Sequence, residues 1–248
     1  MAPEAYVLLL LGAASGGLIN GLSGFGTALF ALGFWLQIMP PLQAVSMVVV
    51  VSVCSGMQGL WLVRSTITAR PKRLARFLIP ALPGIPLGVL SLSFVSADIL
   101  KLGIAGFMLL YGGFFSCRRG LPKLERPTPY IDCIVGFLGG LFGGAASLSG
   151  ALPTMWCALR PWSKAETRAV LQPYNVAVLS LALVIFLIKG AYTFESLKLI
   201  AIALPVTMIF AQIGISIFKR LSDDQFRRLI IGLLLLSGFA LMLRETVS

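Results

Sequence analysis

Residues 5–63 read AYVLLLLGAASGGLINGLSGFGTALFALGFWLQIMPPLQAVSMVVVVSVCSGMQGLWLV, and none of them is charged. A bilayer core about 30 Å thick is crossed by about 20 mostly apolar helical residues, so this run holds more than one crossing. Outward from it, further uncharged runs occupy residues 77–97, 102–117, 133–159, 169–188, 199–218 and 229–243. The pair Pro40-Pro41 divides the first run, which gives eight hydrophobic segments. Across all 248 residues, 58% are apolar and 12% charged, against about 25% charged in a soluble domain. Such a chain cannot cover a water-facing surface, which excludes a cytosolic enzyme, a disordered protein and a secreted module. It contains no histidine, so histidine-ligated metal or haem and Ser-His-Asp catalysis are excluded. Cys54, Cys117, Cys133 and Cys157 show no CxxC spacing, which argues against a metal site or a disulfide framework. There is no P-loop, so ATP is not used by this chain, and no cofactor is expected. The start, MAPEA, lacks a basic n-region and is not read as a cleaved signal peptide.

Two landmarks recur in order. Gly17-x3-Gly21-x2-Gly24 returns as Gly136-x3-Gly140-x2-Gly143, and Gly88-x7-Ser96-Ala97-Asp98 returns as Gly214-x7-Ser222-Asp223-Asp224. This predicts a duplication, with a first membrane repeat at 1–118, a cytoplasmic linker at 119–129 and a second membrane repeat at 130–248. The first segment of each half is anomalous. Residues 5–36 as one helix would be about 48 Å long, and the centre is rich in Gly and Ser, which are poor helix formers. Either it is a long tilted or kinked span, or it is a re-entrant hairpin of two half-helices. Positive charge is enriched on the cytoplasmic side of membrane proteins, and this weighs the two. With eight full spans the better orientation places 12 basic residues inside and 8 outside, whereas with two hairpins the split is 16 to 4. The hairpin reading leaves three spans per half, an odd number, so the second half enters upside down. The expected fold is an all-α polytopic membrane protein of two inverted repeats. Each repeat is one re-entrant or broken Gly-rich helical hairpin plus three transmembrane helices, and both termini lie outside. Transporters of this plan bind substrate near the midplane, at the repeat interface.

A helix broken inside a membrane exposes backbone groups that lipid cannot satisfy, so the break must line protein or a watery cavity. The N-terminus of a half-helix presents free N–H groups and about half a positive charge, which suits an anion. Two facing breaks would cradle a small anion without a lysine or arginine at a span centre. The candidate binding residues are Asn20, Gly24 and Thr27 in the first break, with Ser23 a weaker choice, and Gly144, Ser147 and Ser149 in the second. Segment six adds Arg168, Gln172, Tyr174 and Asn175 around Pro173, a residue that frees a backbone carbonyl and can kink a helix. Their first-half counterparts, Met47 to Val50, are apolar, so this polar cluster is expected in one half only. Other roles compete. Gly and Ser serve close helix packing, Gln, Tyr and Asn bond between helices, and Arg168 could snorkel to lipid headgroups. Asp98, Asp132, Glu166, Glu195, Asp223 and Asp224 sit near segment ends, where helix capping is the expected role. The basic loops are expected to meet anionic lipid headgroups, not nucleic acid.

Over nearly its whole length the chain resembles the sulfite exporter TauE/SafE family, within the toluene sulfonate uptake permease superfamily. The resemblance rests on GLINGLSGFGTALFALGFWL in the first half and GFLGGLFGGAASLSGALPTMWCALRPWSKAETRAVLQPYNVAVL in the second. It includes Pro153 and the WSKAETRAV loop. The first half departs from the family pattern at Trp35-Leu36-Gln37, where a proline is usual, and at Phe25 within the glycine run. The resemblance implies a secondary transporter, not an enzyme, of small sulfur-containing anions such as sulfite, sulfoacetate or other organosulfonates. It implies export or uptake across a bacterial inner membrane, with export the more specific expectation, and the inverted halves are expected to work by alternating access around the paired breaks. A passive anion channel and a non-transporting membrane assembly factor are the alternatives.

Overall fold

The computed structural model describes residues 3–91, 106, 109, 110, 113, 124–146 and 149–247. Ser147, Cys117 and the landmark Ser96-Ala97-Asp98 lie outside the described residues. Among the described residues the secondary structure is helical, in nine helices: α1 Pro3–Ser23, α2 Thr27–Trp35, α3 Pro41–Ala69, α4 Pro71–Ser91, α5 Pro129–Ala146, α6 Ala151–Ala158, α7 Lys164–Ile188, α8 Phe194–Arg220 and α9 Asp223–Val247. Among the described residues four stretches are long and apolar enough to cross a bilayer: Pro3–Ser23, Leu42–Ala69, Lys164–Ile188 and Phe194–Arg220. Large apolar side chains such as Trp61, Ile79, Leu90, Ile188 and Ile209 are exposed on the helix surfaces, as a hydrocarbon solvent allows.

The long first segment is not one helix. α1 stops at Ser23, and Gly24 and Gly26 adopt φ of 87° and 92°, a region glycine enters without a Cβ clash. The chain then folds back. Thr27 and Ala31 of α2 lie against Gly16 of α1, and Trp35 lies against Gly12. The Trp35 indole, fully buried, donates to the Leu9 carbonyl at 2.9 Å and fastens the return. The second half repeats the manoeuvre. Ser149 and Pro153 lie against Gly143 and Gly139 of α5, and the Trp156 indole donates to Asp132 Oδ1 at 2.7 Å.

Each hairpin packs into the other half of the chain. A Cβ on Gly17 or Gly21 of α1 would overlap the backbone of Thr207 or Ala211 of α8, and one on Gly214 would overlap Leu18 and Leu22. Correspondingly, Gly136, Gly140 and Gly144 of α5 abut the backbone of Phe77, Ala81 and Ile85 of α4, and Gly84 abuts Phe137 and Leu141. Residue numbers rise together in both pairs, so α1 runs parallel to α8 and α5 parallel to α4. By contact, therefore, Gly214 corresponds to Gly84 and not to Gly88. The landmark match displaces the fourth helix by about one turn.

The two ends of the bundle differ. At one end Glu166 pairs with Arg70 at 2.5 Å and Arg73 at 2.8 Å, and Arg160 with Asp132 at 2.9 Å. Here Lys164 Nζ caps the last carbonyls of α8 at Phe218, Lys219 and Leu221. Ser163 and Glu166 form a capping box that starts α7. Basic residues from the ends of α3 and α8 and the starts of α4, α7 and α9 thus share one face. The opposite end holds Leu9, Trp35, Met39, Ala44, Leu199 and Ile200 in one apolar cluster. There Tyr192, in the α7–α8 turn, donates to the Ser46 carbonyl at 3.2 Å, and burial pushes its phenol pKa up to about 12.

Because α5 meets backbone, not flexible side chains, Gly140→Val should lower stability by about 1–3 kcal/mol or more. Thermal unfolding of the solubilised protein reads this as a lower melting temperature and reduced yield. Gly33→Ala, on an open face of α2, should be neutral or slightly stabilising. Equal melting temperatures for Gly140→Val and the parent would contradict the close α4–α5 approach.

Candidate functional site

The two breaks meet. A Cβ on Gly150 would lie 2.9 Å from the Phe25 Cβ, so the turn before α6 abuts the turn before α2. Between them lies a cavity of about 20 Å³, lined by Gly26 and Thr27 at the start of α2, Gly150 and Ala151 at the start of α6, Ser52 of α3 and Asn175 of α7. Neither Gly26 nor Gly150 can cap its helix, and no side chain caps either N-terminus. The first N–H groups of a helix have no intrahelical acceptor, and each N-terminus carries about half a positive charge. Two such ends thus flank one small space.

Side chains around it have spare hydrogen-bonding capacity. Thr27 Oγ1, Ser52 Oγ and Asn20 Oδ1 are buried without a hydrogen-bond partner, and their residues are 2%, 1% and 1% exposed. Unsatisfied buried polar atoms are uncommon because each forfeits its hydration. Asn20 is held by its amide, which donates to Ser55 Oγ at 2.6 Å. Ser149 donates to Asn175 Oδ1 at 2.8 Å, which leaves the Asn175 amide as a donor.

Arg168 does not snorkel. Its side chain is fully buried, its Nε donates to Gln172 Oε1 at 3.2 Å, and its guanidinium lies over the Phe218 ring at 4.5 Å. Nη1 reaches the Leu22 carbonyl at 3.5 Å, while Nη2 has no hydrogen-bond partner. Gln172 in turn donates to the Gly56 carbonyl at 3.1 Å, and a Cβ on Gly24 would fall 2.9 Å from Gln172 Oε1. Arg168, Gln172 and Asn175 recur at helical spacing on one face of α7, and that face looks at the breaks.

The structure thus brings together Asn20, Gly24, Thr27, Ser149, Arg168, Gln172 and Asn175. Two predicted residues lie elsewhere. Gly144 abuts the Ile85 backbone of α4, where it serves helix packing. Tyr174 turns to α5, donating to the Gly136 carbonyl at 2.8 Å within an apolar cluster. Sequence reasoning missed Ser52, Gly26 and Gly150 as lining residues, and Phe25 beside them packs with Met155, Phe218 and Phe226. The polar lining is also not confined to one half, since Ser52 of α3 lines the cavity with Asn175. Of the carboxylates expected as caps, Glu166 does cap α7, whereas Asp132 accepts from Arg160 and Trp156. Among the described residues no cluster of three or more His, Cys, Asp or Glu could hold a metal ion.

No curated protein and no solved structure matches the chain. The family model described as Sulfite exporter TauE/SafE matches residues 8–241, nearly the whole length. With an all-helical architecture and helices long enough to span a bilayer, the chain belongs to the sulfite exporter TauE/SafE family of multi-pass membrane transporters.

Proposed function

We propose that this protein is a secondary transporter that exports small sulfur-containing anions, such as sulfite, sulfoacetate or other organosulfonates, by alternating access. One observation carries the reading. Two uncapped helix N-termini face a shared cavity whose hydroxyls at Thr27 and Ser52 lack partners. An anion between them accepts from backbone N–H groups and hydroxyls, and the Asn175 amide adds a donor. About 20 Å³ accommodates roughly one water, so the space as it stands is too small for sulfite and the site is closed. Entry then requires one part of the bundle to move against the other. Arg168, Gln172 and Gly24 form the approach from the basic end, while Gly144 and Tyr174 support the hairpin that carries the second break.

The crossed pairs α1–α8 and α4–α5 fit two inverted repeats, 1–118 and 130–248, joined by a cytoplasmic linker at 119–129. In this reading the basic end is cytoplasmic and meets anionic lipid headgroups, and both termini lie outside a bacterial inner membrane. In a cysteine-free background, Lys189→Cys should react with an impermeant maleimide in intact cells, and Lys72→Cys only after permeabilisation. The reverse pattern would contradict the orientation.

Transport is tested with the purified protein in liposomes. Sulfite or sulfoacetate flux should saturate with concentration. Thr27→Val with Ser52→Ala removes two charge-assisted hydrogen bonds to the anion, each worth about 1.5–3 kcal/mol, and should weaken half-saturation by about a hundredfold or more. Unchanged flux in this double variant would remove the cavity from the pathway.

A further inference from the structure

We infer that an alkali cation, sodium or potassium, binds beside the anion at the first break, with Asn20 Oδ1 as its fixed ligand, and that anion transport depends on it. This rests on the transport reading above and adds a second ligand of opposite charge.

The inference begins with the hydrogen bonds of one amide. Asn20 stands in the last turn of α1 and is 1% exposed. Its nitrogen donates to Ser55 Oγ at 2.6 Å and to the Ser52 carbonyl at 3.4 Å. These partners fix which way the amide points. A carbonyl only accepts, and Ser55 spends its one hydroxyl proton on the Val51 carbonyl at 2.6 Å, so both need a donor. The other end of the amide, Oδ1, is therefore an acceptor, and no protein donor reaches it. Arg168 does not fill it, because its guanidinium goes to Gln172, the Leu22 carbonyl and the Phe218 ring. A buried acceptor without a partner forfeits its hydration. An organosulfonate does not repair this, since it offers no proton and its oxygens carry the same sign of charge. A cation does.

The surroundings offer a place for each sign. α1 ends at Ser23 and α2 starts at Thr27, so a half-negative and a half-positive helix end lie close together. Where helices break in transporters, N-terminal ends face anionic groups, and C-terminal ends with freed carbonyls take the coupling cation. Asn20 belongs to the negative end and Thr27 to the positive one. The hydroxyl oxygens of Thr27 and Ser52, which line the cavity, are unpartnered as well. A hydroxyl that gives its proton to an anion keeps lone pairs for a cation, so the two ligands can share them. None of the residues lining the cavity is charged, and a buried anion is tolerated when a charge pairs with it. The cation supplies that charge: a monoanion is neutralised, and the charge of a dianion is halved.

Sulfite flux down its own gradient tests this in proteoliposomes of the whole chain. Sodium, potassium or N-methyl-D-glucamine is the cation on both sides, at equal ionic strength. The parent should run at least about fivefold faster in sodium or in potassium than in N-methyl-D-glucamine, the low end of coupling between two bound ligands. The separate sodium and potassium arms identify which cation the site takes. Asn20→Asp puts a full negative charge on the ligand and should reach half-maximal stimulation at a lower cation concentration, a shift that packing alone does not produce. Asn20→Leu, checked to be monodisperse, should run no faster with an alkali cation than without one. Equal parent flux in all three media overturns the inference, assigns Oδ1 to a bound water and leaves the transport reading standing. Parent-like stimulation in Asn20→Leu also overturns it. Absence of sulfite flux in every medium overturns the transport reading and, with it, the coupling.

Discussion

A bilayer offers no partner to a peptide N–H, and a helix that ends within it must find one in protein, water or ligand. The rest of this structure depends on how two such endings are accommodated. α1 and α5 stop short and reverse, α2 and α6 begin uncapped, and the two beginnings are brought to one cavity. Glycine makes the reversal possible at Gly24 and Gly26, where φ is positive. Glycine also lets α1 and α5 press backbone to backbone against α8 and α4. Two indoles, Trp35 and Trp156, hold the returning strokes in place. The hairpins are thus built by absence of side chains along one face and by single hydrogen bonds at their mouths.

Much of this was legible in the sequence, because it follows from length and charge. Uncharged runs mark the helices, and a first segment of about 48 Å cannot be one simple crossing. The recurrence of Gly17 and Gly21 as Gly136 and Gly140 marks the positions that press against the partner helix. The register of the fourth helix was not legible. Gly88 and Gly214 share a downstream Ser-x-Asp landmark, but contact equivalence is set by which backbone meets which, and it pairs Gly214 with Gly84. Site residues divide in the same way. Asn20, Thr27, Ser149 and Asn175 stand out as polar groups near a break, and they converge. Ser52 is one hydroxyl in a run of valines, and only the fold brings it beside Asn175. Gly144, near the second break in sequence, and Tyr174, beside Asn175 on α7, each sit on the other face of their helix, because 3.6 residues per turn carries neighbours to different sides.

The electrostatic logic is also easier to see in three dimensions. From the sequence, net +11 marks chiefly a basic end. In the structure part of that end is internally engaged: Glu166 with two arginines, Arg160 with Asp132, Lys164 with the end of α8. Arg168 differs from these by lying deep in the bundle with neutral contacts. Phe25 and Phe218 share one buried cluster, and the Arg168 guanidinium stacks on the Phe218 ring.

The transport reading places an anion between the N-termini of α2 and α6. An experimental structure determined with selenite, a heavier analogue of sulfite, tests it most directly, because selenium is located by its anomalous signal. The predicted result is a selenium peak within hydrogen-bonding reach of Thr27, Ser52 and the Gly150–Ala151 turn. A peak confined to the basic surface, with the space between the two breaks filled by side chains alone, would contradict it.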